Sequence, residues 1–180
     1  MDGRKKSSED RREFILQWLK QNPAPLTGQA IAEKTNVSRQ VIVQDISILK
    51  AKNEPIIATA QGYVYINDQQ PKFPYKRLIA CRHSPEQTEE ELFIMVDHGV
   101  HIRDVIIEHP IYGELTASLL LQNRRDVAQF IKKMKESNAS YLSDLTEGIH
   151  LHTIEAETNE QLDEVYQALS KAGFILAKTE

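Results

Sequence analysis

The chain has 180 residues, 41% of them hydrophobic and 27% charged, with a net charge of −4. That length holds one large domain or two small ones, at roughly 100–150 residues each. No stretch approaches the ~20 consecutive apolar residues of a membrane span, and the charged start MDGRKKSSEDRR lacks the apolar core of a signal peptide. The single cysteine, Cys81, excludes an intrachain disulfide and a cysteine metal cluster. A cytoplasmic protein without a membrane partner is expected. Charge is unevenly shared: residues 1–70 hold 10 Lys and Arg against 8 Asp and Glu, residues 71–180 hold 12 against 18. This predicts a mildly basic module joined to an acidic one. The polar, proline-bearing stretch Asn67–Pro74 is the expected linker, between domains at 1–68 and 72–180.

The first module reads as three helices and a hairpin. Ser8 is an expected cap for a helix over Glu9–Gln21, with Phe14, Ile15, Trp18 and Leu19 at helical spacing. Asn22-Pro23 ends it. Thr27 caps a short helix to Thr35, which carries Ile31 inward. After the turn at Asn36-Val37, Ser38 caps a third helix from Arg39 to about Lys52. Two β-prone runs, Ile56–Ala60 and Tyr63–Ile66, join through Gln61-Gly62, where glycine supplies the positive φ of a short hairpin.

The second module alternates strands and helices. Strands are expected at Lys76–His83, Arg103–His109, Glu114–Leu121, Gly148–Ala156 and Phe174–Ala177. Helices are expected from Ser84-Pro85 to Asp97, over Arg124–Ser137 behind the Asn123 cap, and after the capping box Thr158–Gln161. The order βαββαβαβ predicts an α+β sandwich with one mostly antiparallel sheet, behind an N-terminal winged helix-turn-helix.

A helix that enters the major groove reads base edges with its N-terminal residues. With Val37, Ile42, Ile46 and Leu49 packed inward, the third helix presents Ser38, Arg39, Gln40, Val43, Gln44 and Ser47. Arg39 can donate twice to guanine; Gln40 and Gln44 can pair with adenine. Thr27, at a helix N-terminus, suits a phosphate. Lys50, Lys52, Arg4, Lys5 and Lys6 would add phosphate contacts. Residues 9–66 resemble the winged helix-turn-helix modules of many bacterial repressors, through Ala30–Ala32, Asn36-Val37, Ser38-Arg39, Asp45-Ile46, Leu49 and Gly62-Tyr63. The expected partner is double-stranded operator DNA.

All six histidines lie in the second module. In the run GIHLHTIEA, His150 and His152 share a strand face and stand ready to chelate one ion. His83 ends the first strand, and Glu91 follows in the next helix, with Glu89 and Glu90 as competing carboxylates. Three neutral imidazoles and a carboxylate suit zinc or nickel. Spacing alone leaves a satisfied polar core as an equal alternative. His98 and His101, flanking Gly99, read as solvent residues in a turn.

Residues 75–177 resemble the three-histidine (3H) domain found behind a winged helix in bacterial transcription repressors. The resemblance is carried by Arg82-His83 with its acidic helix, Asp104–Pro110, Tyr112-Gly113, Leu142–Thr146 and Gly148–Ile154. It implies a metal at His83, Glu91, His150 and His152. The best-known members respond to niacin, so it also implies nicotinic acid as co-repressor and control of NAD biosynthesis or niacin uptake genes. The pyridine nitrogen could take an open metal position. His109 and Tyr112 are candidate donors to the ligand carboxylate, and Arg103 could pair with it. Ligand binding would fix two recognition helices of a homodimer one DNA turn apart, ~34 Å. Two other readings stand beside this one: a regulator for which the metal is itself the signal, and a metal-dependent hydrolase with Glu108 as base.

Overall fold

The computed structural model describes residues 7–66 and 73–176. It separates into two compact units, Met1–Gln69 and Gln70–Glu180. Most of the expected linker, with Arg4, Lys5, Lys6 and Ala177, lies outside the described residues.

The first unit is built from helices α1 (Ser8–Gln21), α2 (Gly28–Thr35) and α3 (Arg39–Ala51) and strands β1 (Ile56–Thr59) and β2 (Gly62–Tyr65). Ser7, one residue earlier than expected, caps α1: its hydroxyl accepts from the Asp10 N–H while Asp10 accepts from the Ser7 N–H. The buried stripe of α1 is Ile15, Leu16 and Leu19, so Leu16 displaces Phe14 from the centre of the apolar face. It packs on Ile31, Ile42, Ile46, Leu49 and Ile56. Thr27 caps α2 and Ser38 caps α3. Asn36 takes the left-handed conformation between them at φ 54°, which asparagine tolerates better than most residues. The antiparallel pairs Ile56↔Tyr65 to Thr59↔Gly62 form the wing, so the turn falls on Ala60-Gln61, one residue earlier than expected. Leu26 adds a bridge to Tyr63. Gly62 has φ 142°, and a Cβ there would lie 2.5 Å from the Leu26 carbonyl oxygen.

Asp45 is the exception in this apolar interior. Only 2% exposed, it accepts from Arg11 Nε at 2.6 Å and from Arg12 Nη1 at 3.4 Å. The pair of arginines pins α1 to α3 and satisfies the buried carboxylate.

The second unit contains β3 (Tyr75–Arg82), a 3₁₀ turn (Pro85–Gln87), α4 (Thr88–Asp97), β4 (His101–His109), β5 (Gly113–Leu121), α5 (Arg124–Ser137), a second 3₁₀ turn (Leu142–Thr146), β6 (Ile149–Ala156) and α6 (Asn159–Lys171). The expected helix from Ser84 to Asp97 is thus split into a 3₁₀ turn and α4, because Pro85 opens a tighter first turn. The sheet order is β3-β6-β4-β5, with every pair antiparallel. The expected last strand reduces to a bridge, Cys81↔Ile175, flanked by Arg82 N–H to Phe174 O and Leu176 N–H to Ala80 O. One sheet face is buried. Ile79, Ile102, Ile107, Leu119, Leu121, Ile154 and Ala156 form its core with Leu92, Met95, Val127, Ile131, Leu162, Val165 and Leu169 from α4, α5 and α6.

Candidate metal centre

Strand alternation builds the centre. Along β6, His150, His152, Ile154 and Ala156 are buried, while the residues between them are half-buried. On β3, Ile79 and Cys81 face the same interior, and His83 continues that phase past the strand end. The register sets Cys81 opposite His150 and Ile79 opposite His152. Gly148, at φ 85°, lets β6 begin directly against His83, since a Cβ there would lie 2.2 Å from the His83 carbonyl oxygen. From the first turns of α4, Glu91 enters the same space. It is 0% exposed, and His150 and His152 are 2% exposed.

The three imidazoles point their Nε2 atoms at this one carboxylate. His83 Nε2 lies 2.8 Å from Glu91 Oε2, His150 Nε2 lies 3.3 Å from Oε1, and His152 Nε2 lies 3.4 Å from Oε2. Each Nδ1 meets a backbone carbonyl: Ser84 at 2.8 Å, Gly148 at 2.8 Å and Asp104 at 2.7 Å. A carbonyl only accepts, so each Nδ1 carries a hydrogen. In a neutral ring Nε2 then presents a lone pair. A carboxylate accepts as well. Four acceptors facing one another in a buried space require positive charge among them, as protons on the rings or as a shared metal ion. Backbone carbonyls that fix the ring tautomer are also the usual outer shell of a metal-bound histidine.

The electrostatics agree. Burial alone would push the Glu91 carboxyl up, yet His152, His150 and His83 together hold it well below the usual carboxylate range. Burial works to lower His83 and His152, but Glu91 outweighs it and raises both. Burial and the Glu91 charge push the Cys81 thiol far up.

Of the competing carboxylates, Glu91 alone reaches the histidines. Glu90 is exposed, and Glu89 is half-buried and lies 4.0 Å from Lys135. Cys81 was missed by the sequence reading as a donor. Its sulfur, a Glu91 oxygen and a His150 nitrogen lie within 4.8 Å of one another. The alternation 79, 81, 83 was the available signal. His109 and Tyr112 are not drawn into the centre. His109 Nδ1 accepts from the Ile111 and Tyr112 N–H groups, its ring lies 4.9 Å from that of Tyr112, and Tyr112 is 75% exposed. Arg103 is committed to Glu155 at 2.8 Å. His101 corrects the solvent expectation. It is buried, its ring 4.9 Å from Phe73 and its Nδ1 3.5 Å from Glu155. His98 is half-buried and donates to the Ile94 carbonyl. Glu108 is exposed on β4.

In the first unit, Ser38, Arg39, Gln40, Val43, Gln44 and Ser47 of α3 and its cap are exposed together. Thr27 is exposed, with its hydroxyl accepting from the Ala30 N–H at 3.1 Å. Arg39 folds back beside Gly28 at the start of α2.

A 3H domain family model matches residues 76–178, and an HTH domain model matches residues 11–64. The chain is 55% identical to the transcription repressor NadR of Bacillus subtilis over 168 residues, 93% of each chain. It is 38% identical to the probable transcription repressor NiaR of Thermotoga maritima over 168 residues, 93% of this chain and 94% of that one. Among the described residues no helix is long and apolar enough to cross a membrane. The chain belongs to the NadR/NiaR family of transcription repressors, non-enzymatic regulators in which a helix-turn-helix precedes a 3H domain.

Proposed function

We propose that this repressor binds operator DNA when its metal-loaded second unit takes up nicotinic acid, and that its targets are genes of NAD biosynthesis or niacin uptake. Residues 1–68 bind the DNA and residues 72–180 bind metal and effector. The observation that carries the metal assignment is the meeting of three Nε2 atoms on buried Glu91. A borderline divalent ion, zinc or nickel, suits His83, Glu91, His150 and His152 and supplies Lewis-acid attraction for a pyridine nitrogen. His109 and Tyr112 serve the effector's carboxylate. Because His109 Nδ1 accepts two backbone N–H groups, its Nε2 is left as the donor.

On the DNA side, Ser38, Arg39, Gln40 and Gln44 form the face turned to the DNA, with Arg39, Gln40 and Gln44 reading base edges, and Thr27 meets a phosphate. The protein works in the cytoplasm as a homodimer on roughly palindromic sites. Nicotinic acid acts only through its differential affinity for the DNA-competent state. Selection from random duplexes, with zinc present and with or without nicotinic acid, tests the reading. Enrichment of a palindrome only with nicotinic acid is expected. Equal enrichment in its absence contradicts the co-repressor role.

A further inference from the structure

Cys81 has a place the four-donor centre does not use. It is fully buried, and its sulfur shares a 4.8 Å neighbourhood with a Glu91 oxygen and a His150 nitrogen. Most buried cysteines are small apolar fillers whose neighbours are carbon. This one lies directly across the strand pair from His150 and two residues before His83 on the same face. Both neighbours and Glu91 are metal-donor side chains.

We propose that Cys81 is a fifth donor of the centre, its thiolate bound to the same ion as Glu91, His150 and their partners. The inference rests on the metal reading above. Two arguments support it. The first is placement. Residues directly opposite in an antiparallel pair carry Cβ atoms about 4.5–5.5 Å apart, so the sulfur and the His150 ring reach a common point without backbone movement. The second is charge. Three neutral imidazoles and one carboxylate leave a divalent ion with a net charge of +1 among side chains that are all buried, and uncompensated buried charge is costly. A thiolate brings the assembly to zero. The S–H bond breaks as the metal–sulfur bond forms, and the proton leaves to solvent. A sulfur donor also biases the centre toward thiophilic ions such as zinc and nickel and away from magnesium or calcium.

Cobalt(II) is the probe, since it takes zinc-like sites and reports its donors in its absorption spectrum. The full chain is stripped of metal and titrated with cobalt(II) alone, as wild type, as Cys81→Ser and as Cys81→Ala. The expected wild-type spectrum has visible d–d bands together with an intense near-ultraviolet thiolate-to-cobalt band. In both variants the near-ultraviolet band disappears, while the visible bands persist on the histidines. Visible bands without a thiolate band in the wild type would overturn the fifth donor and leave the four-donor centre standing. A near-ultraviolet band that survives in Cys81→Ser would overturn it too. A wild type that binds no cobalt at all would sink the metal reading itself, and the inference with it.

Discussion

Gly148 shows how much of the centre depends on one missing methyl group. A Cβ at this position would overlap the His83 carbonyl at 2.2 Å, and its φ of 85° is strained for any other residue. Gly148→Ala is expected to destabilise the protein by roughly 1–3 kcal/mol and to weaken zinc binding by about 10–100-fold by displacing His83, as loss of a supporting contact does. Thermal unfolding and competitive zinc titration measure the two effects. Unchanged zinc affinity would show that His83 is not held by this contact. Protons compete for the same nitrogens. Glu91 raises His83 and His152 above the ordinary histidine value of ~6.5, so protons compete with an ion for both rings from above that value. Zinc affinity is therefore expected to fall as pH is lowered, starting above ~6.5 and not at it. Affinity independent of pH between 8 and 6 would contradict three-histidine ligation.

At the scale of elements, α3 divides its labour by face. Ile42, Ile46 and Leu49 fix it in the core, and Asp45 locks it to Arg11 and Arg12. The opposite side is exposed, and it is the face proposed to read DNA. Arg39→Ala is expected to cost about 1–3 kcal/mol of specific operator affinity and to leave nicotinic acid binding unchanged, as read by anisotropy and calorimetry. Full retention of operator affinity would show that α3 does not read this base. Asp45→Ala belongs to a different class. It strips two half-buried arginines of their partner and is expected to destabilise the first unit by about 1–3 kcal/mol, with DNA binding recovered at lower temperature. In the wing, Gly62→Ala would drive a Cβ into the Leu26 carbonyl and loosen the hairpin by a similar amount.

Helical periodicity and caps made α2, α3, α5 and α6 legible in the sequence, and strand alternation placed His150 and His152 on one face. What the sequence did not carry has a physical reason in each case. Helix phase left Glu89, Glu90 and Glu91 open, since three consecutive residues differ by a hundred degrees each and only packing against β6 selects one. Cys81 was set aside because a single cysteine builds no cluster by count, although its strand phase put it beside His83. His101 looked solvent-facing because Gly99 marks a turn, but β4 begins at His101 and covers it against Phe73 and Glu155. The last strand looked regular from Phe174 onward, yet the described segment supports only one bridge to β3.

For the whole molecule, the proposed mechanism links a base-reading helix to a metal-bound effector, with the metal as the joint. The most direct test is calorimetric titration of nicotinic acid into the zinc-loaded chain and into the His150→Ala/His152→Ala double variant, with nicotinamide as a control ligand. Saturable binding of nicotinic acid to the parent, lost in the double variant, is the predicted result. Equal binding to both proteins, or none to the zinc-loaded parent, would contradict a metal-dependent niacin sensor.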